Sequence, residues 1–278
     1  TRWWRWTTAG WRPRRGRAVA QGDVGALGVA ASLLLVAIAV LLSLRGGLGL
    51  ERSLVWASAR ALVQLLIVGV ALAAVVDPDS PIALSWLWVA AMLLFSADVA
   101  RRRAPEVPGL LGLAFMAFAA TGVVALGTVF GLGIFPLEGR TLVPIAGLVI
   151  GNSMAATVLA ARRIVEELRD RRLEVEARLA LGQPGRQAAR PFVRSALRAA
   201  LVPQIETTKA VGIVFLPGAM TGLILAGVDP LDAVLVQVVV MYLVLGSAAT
   251  ATAVVAEGLV RRLFTPDHRL VRLPRPAD

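Results

Sequence analysis

Glu206 and Lys209 stand three residues apart in the otherwise apolar stretch ETTKAVGIVF. At that spacing they share one helix face and can pair. An ionisable group carried into hydrocarbon costs about 2.5–3.5 kcal/mol on insertion, so such a pair inside a span marks a substrate or ion path. At the interface the same two side chains would simply reach water. Both readings are open. Asn152, Ser153 and Met154 follow Gly151 deep in apolar sequence. Small and hydrogen-bonding residues there either knit helices together or line a path. Arg60 and Gln64 lie one helical turn apart in a third apolar run, where Arg60 can extend to the interface more easily than Gln64. Pro217-Gly218-Ala219-Met220-Thr221-Gly222 predicts a kinked or unwound helix, whose freed backbone is tolerated only against protein or a water-filled cavity. Met220 and Thr221 join the path candidates, with Gln237 and Tyr242 behind them.

A second group points to mechanical coupling. Residues 162–199 carry ten Arg against Glu166, Glu167, Asp170, Glu174 and Glu176, a net of +5. Charges at helical spacing, such as Glu174 to Arg178, predict a solvated helix continuing from the preceding apolar run. Gly182, Pro184 and Gly185 must end that helix and turn the chain into a second one, beginning near Gln187 and interrupted at Pro191. One reading is an amphipathic hairpin on anionic lipid. Another comes from Glu176-Ala177-x-x-x-x-Gly182, which resembles the Glu-Ala-Ala-x-x-x-Gly core of the coupling loop in ABC importer permeases, with Arg178 in place of the second Ala. In that reading Glu176, Ala177, Arg178, Gly182, Pro184, Gly185 and Arg186 dock a separate ATPase.

Other chemistries are excluded. There is no Cys, so disulfides, thiolate metal sites and thiol catalysis are absent. The one His, His268, lies in a polar tail, which leaves no His-based triad or metal site. No GxxxxGK[ST] loop occurs, so ATP and Mg must be bound by a partner chain, and this chain carries no cofactor of its own.

Of the 278 residues, 57% are hydrophobic and 17% charged, with a mean hydropathy of +0.74. Those values predict an all-α polytopic membrane protein. The net charge of +11 then reflects topology rather than nucleic-acid binding. Seven runs reach membrane-spanning length: 24–44, 54–76, 82–99, 110–133, 141–161, 207–226 and 231–256. The organisation is a basic Trp/Arg-rich tail (1–21), a membrane domain (22–262) with the insertion 162–206, and a tail (263–278). Arg residues cluster at 45–52, at 101–103, in the insertion and in the C-terminal tail, while the alternate loops hold one, Arg140. That asymmetry predicts a cytoplasmic insertion and C-terminus and an outer N-terminus. The six Arg of the N-terminal tail run against this rule, and the tail's Trp/Arg alternation suits an interfacial position. It is not read as a cleavable signal peptide.

The run from Arg60 to Gly69, the Gly151-Asn152-Ser153-Met154 motif, Glu176 to Gly182, and Leu216-Pro-Gly-Ala-Met-Thr-Gly222-x-x-x-Ala-Gly-Val-Asp229-Pro230 occur in an order that resembles the FetB-type permeases. These are bacterial membrane subunits of a two-component ABC transporter implicated in iron export, and the plant aluminium-resistance half-transporter permeases are similar. The resemblance covers roughly residues 22–262. It implies a bacterial inner-membrane location and a permease homodimer joined to a separate ATP-binding subunit. Substrate would then pass between the permease chains, along Asn152, Met154, Glu206, Lys209, Met220 and Thr221. Oxygen donors are scarce, so iron would pass weakly bound or chelated, or the substrate is another one such as a nucleotide sugar. A channel or secondary transporter needing no ATP is the competing class.

Overall fold

In a bilayer every backbone polar group must be bonded within the protein, and the computed structural model meets that demand with α-helices. It describes residues 26–77, 79–267 and 269–272. The basic N-terminal tail, His268 and the end of the C-terminal tail therefore lie outside the described residues. Among the described residues the helices are α1 (Ala26–Gly46), α2 (Glu51–Val75), α3 (Ile82–Arg103), α4 (Leu110–Gly131), α5 (Gly139–Asp170), α6 (Arg172–Ala180), α7 (Gly185–Ala210), α8 (Gly218–Leu225) and α9 (Pro230–Leu263). Beside them stand two isolated backbone bridges, Val211–Phe215 and Phe264–Leu270. Helices α2, α3, α4, α5 and α9 are long and apolar enough to cross a membrane. The chain is an all-α polytopic membrane protein. The first expected span falls on α1, whose apolar stretch Ala30–Gly46 is shorter than those five.

The expected sixth span, 207–226, requires correction. It is not one helix: α7 ends at Ala210, Gly212 turns to φ +85°, and helix resumes only at Gly218. A left-handed residue cannot continue an α-helix, and Pro217 biases the residue before it toward extended backbone. The unwinding expected near Pro217 is present, and it divides the segment instead of bending it. The interruption expected at Pro191 is absent, since α7 runs through both Pro191 and Pro203. Pro191 leaves the Gln187 carbonyl without its helical donor, but both residues are exposed, so water can serve it.

The described residues fall into two compact units. The first holds residues 26–68 and 216–237. Its α1–α2 turn passes through Gly47 and Gly49, both at positive φ. Buried Ser43 closes that turn by donating to Glu51 Oε1 at 2.7 Å and accepting from the Leu50 N–H at 3.2 Å.

The second unit holds residues 69–215 and 238–272. Here α5 packs on α3, α4 and α7, and α6 rests on α7 and α5. Its main core joins Ala100 of α3, Leu113 and Phe118 of α4, Ile164 and Leu168 of α5, Phe192 of α7 and Leu259 of α9. Alanines such as Ala97, Ala114, Ala161, Ala188 and Ala196 fill many of the contacts and let the backbones approach closely. Gly258 of α9 belongs to the same design, because a Cβ there would overlap the Leu113 side chain. A second cluster, around Val129, Leu142, Ala146 and Val149, continues the packing of α3, α4 and α5.

Candidate functional site

The charged insertion folds as a helix–glycine–helix hairpin. α5 continues past the apolar run as a charged helix to Asp170, as its spacing predicts. After the turn at Arg171, α6 spans nine residues. Gly182, at φ +84°, ends it, donating its N–H to the Leu179 carbonyl at 2.9 Å. Pro184 is extended (ψ 149°) and leads into α7, whose first turn is closed by Gln187 and Ala188 donating to the Pro184 carbonyl.

α6 has two faces. One carries Val175, fully buried, and Leu179, packed on the main core. The other places Leu173, Glu176, Ala177, Ala180 and Leu181 together at the i, i+3, i+4, i+7, i+8 positions, all exposed. Leu173 and Leu181 are each 81% exposed. Large apolar side chains held so openly in a charged segment form a patch suited to another protein's groove.

The hairpin is tied down from several sides. Arg172 pairs with Glu176 at 2.6 Å and reaches the Leu270 carbonyl at 3.4 Å. The Arg178 guanidinium lies 5.9 Å above the Phe192 ring, a cation–π contact, so Arg178 does not pair with Glu174 as the spacing suggested. Glu174 instead meets Arg171 at 3.8 Å. Arg186 pairs with Glu257 of α9, which also holds Arg261 at 3.0 Å. Gly185 is buried beside Phe264, whose ring a Cβ would strike, so this glycine seats the hairpin and adds nothing to its open surface.

The path candidates divide between the two units. Arg60 and Gln64 of α2 are exposed in the first, with no partner among the described residues. Met220 and Thr221 of α8 are half-buried there, and Thr221 Oγ1 donates to the Pro217 carbonyl at 3.2 Å. Gln237 is 4% exposed in the same unit, with its Oε1 unbonded. In the second unit Glu206 and Lys209 do pair, at 2.8 Å, with side chains 61% and 66% exposed. Asn152 is half-buried and donates to the Leu148 carbonyl at 2.8 Å. Ser153 is fully buried and bonds the Val149 carbonyl at 2.6 Å, while Met154 packs on the main core. Of the three consecutive motif residues, Ser153 and Met154 thus make packing contacts within this chain. Tyr242 lines a cavity of about 300 Å³ between α4 and α9, with Thr121, Thr128, Ser247 and Thr250. Among the described residues no three His, Asp or Glu gather as a metal site would require.

Residues 26–264 match the uncharacterised protein family UPF0014. The chain belongs to that family. Among its relatives, the probable iron export permease protein FetB of Escherichia coli is 31% identical over 243 residues, covering 87% of this chain and 93% of FetB. The rice membrane protein STAR2 is 37% identical over 233 residues, 82% of this chain and 80% of its own length. The Arabidopsis protein ALUMINUM SENSITIVE 3 is 33% identical over 225 residues, 80% and 81% of the two chains. No solved structure matches. The family match spans the hairpin, the Asn152 motif and the α8 segment alike.

Two features of the site escaped the sequence. The open Leu173/Leu181 patch is visible there only as an apolar period within a charged helix. The anchors Glu257 and Phe264 stand more than 70 residues from the Arg186 and Gly185 they hold, and no local pattern links them.

Proposed function

We propose that this chain is the membrane-spanning permease subunit of an ABC exporter, driven by a separate ATP-binding subunit that docks on residues 174–190. The observation that carries the reading is α6. Its exposed face offers Leu173, Glu176, Ala177, Ala180 and Leu181 to a partner, while its buried face is keyed into the core of the second unit. A hairpin both open and firmly seated can pass on a push from outside. A floppy linker would absorb it.

The cytoplasmic face carries the hairpin and the C-terminus in this reading, in line with the distribution of Arg. The permease works as a homodimer, and Arg60, Gln64, Asn152, Ser153, Met154, Glu206, Lys209, Met220 and Thr221 are its path candidates. The substrate is iron or another metal, a reading supported by the name of the FetB relative. Donors scattered as they are here suit a cation that passes weakly held or chelated.

The test is reconstitution of the chain with its ATP-binding partner. The permease should raise ATP turnover, and Glu176→Ala or Gly182→Val should lower that stimulation while the permease still folds. Unaltered coupling in both variants would remove the docking assignment. Vesicles holding both subunits and offered ferrous iron, aluminium or a nucleotide sugar in turn would identify the substrate. Equal flux without ATP would assign a channel instead.

A further inference from the structure

Most cations of the 162–198 segment are engaged. Arg162 pairs with Glu106, Arg163 with Glu166, Arg169 with Asp170, Arg171 with Glu167, Arg172 with Glu176 and Arg186 with Glu257, and Arg178 covers Phe192. Arg190, Arg194 and Arg198 differ. All three are exposed and have no acid, hydrogen-bond or ring partner among the described residues. They lie four residues apart on α7 and so form one stripe, about 12 Å long at 1.5 Å per residue. Together with Pro191 and Ser195 they line a shallow groove on that helix.

The opposite face of α7 is the packed one, where Ala188, Ala189, Phe192, Ala196 and Ala200 are buried. The guanidinium stripe therefore points away from the core. Along the same face the next position is Val202, 44% exposed, with Ile205 beside it at 39%. A single outward face thus passes from three unpaired cations to exposed apolar side chains. That sequence suits a helix lying against the boundary between headgroups and acyl chains, with cations at phosphate level and aliphatic groups deeper. An acidic protein surface would explain the arginines but leave Val202 and Ile205 exposed to water.

We infer that Arg190, Arg194 and Arg198 form a binding stripe for the phosphodiester headgroups of anionic membrane lipid, with Val202 and Ile205 taking the adjoining acyl region. The planar guanidinium is suited to the task, since it binds phosphate oxygens in bidentate fashion. Each basic residue near an anionic bilayer contributes about fivefold in affinity, so three acting together amount to about a hundredfold. Exposed charges are screened by salt, so the effect is strongest at low ionic strength. The assignment rests on the membrane fold; Arg194 and Arg198 lie beyond the proposed docking segment 174–190, and Arg190 stands at its end.

The experiment uses the purified full chain in detergent, titrated with phosphatidylglycerol or with phosphatidylcholine, and follows thermal unfolding and retained lipid by native mass spectrometry. The native chain should be stabilised by phosphatidylglycerol in a salt-sensitive way and little by phosphatidylcholine. The variant R190Q/R194Q/R198Q should lose about tenfold or more in apparent phosphatidylglycerol affinity. The variant R190K/R194K/R198K keeps the charge and should retain part of the response, which separates lost binding from lost folding. Glycerol phosphate supplied alone should not reproduce the stabilisation. An unchanged phosphatidylglycerol response in the glutamine variant would overturn the assignment. So would equal stabilisation by glycerol phosphate, or a stripe that matters only when the ATP-binding partner is present.

Discussion

Two breaks in the second unit use the same backbone device and end in opposite surroundings. Gly182 and Gly212 both turn left-handed, at φ +84° and +85°, and each stops a helix. Around Gly182 the chain is charged, Val175 and Phe192 are buried beneath it, and Arg186 ties it to α9. Around Gly212 the chain is apolar, Ile213 is 90% exposed and Val214 78%, and Gly212 closes only a small loop to the Phe215 carbonyl at 3.0 Å. A polar break can face water and still be held by its core. An apolar break of this kind is complete only when lipid or protein covers it. The hairpin is therefore seated within one chain and leaves only its α6 face open, while the 211–215 loop is held by little of its own chain.

Substitutions can break that contrast, and the largest effect belongs to the core beneath the hairpin. Val175→Asp places an unpaired charge where nothing is exposed and should cost several kcal/mol, seen as a collapse of the thermal transition in detergent. Phe192→Ala removes a buried ring and the partner of Arg178, with an expected loss of about 3–5 kcal/mol. Ile213→Ala, in the open loop, should stay within about 0.5 kcal/mol in the same assay. A large loss at Ile213 would mean that the loop is already covered in the detergent-solubilised protein. Gly182→Val and Gly212→Val should each cost about 1–2 kcal/mol, because both force a Cβ into left-handed backbone. If residues 174–190 dock the proposed ATP-binding subunit, they should diverge in function, with the first alone lowering its stimulation. The smallest change in stability is expected for Glu176→Gln, on an exposed pair, where only the ATP turnover of the proposed partner subunit should respond.

The comparison also marks where the sequence could be read. Apolar runs that become α2, α3, α4, α5 and α9 were legible because length and hydropathy are sufficient when nothing interrupts them. The 207–226 run passed the same criterion and failed as a helix, since a hydropathy window counts Gly212 and Pro217 as apolar length rather than as stops. Pro191 misled in the other direction: its cost depends on whether the orphaned carbonyl reaches water, and that is a property of the fold. The helix–Gly182–helix turn was legible because glycine and proline act locally. The roles of Gly185 and Ser153 were not, because each is defined by a neighbour, Phe264 or the surrounding core, that only packing supplies.

α5 runs without a break over 32 residues, a length of about 48 Å, from Gly139 to the turn that opens the hairpin. That exceeds the hydrocarbon core of a bilayer, about 30 Å, by some three helical turns. Asp170 at one end abuts the α6 turn, and Asn152 sits near the midpoint of the helix. In the transporter proposed above, such a rod would serve as a lever with the hairpin at its outboard end. A tilt of about a tenth of a radian about one end would sweep the other through roughly 5 Å. In that role a flexible joint introduced along it, such as a glycine pair near Ala160, would leave both ends intact and disconnect them.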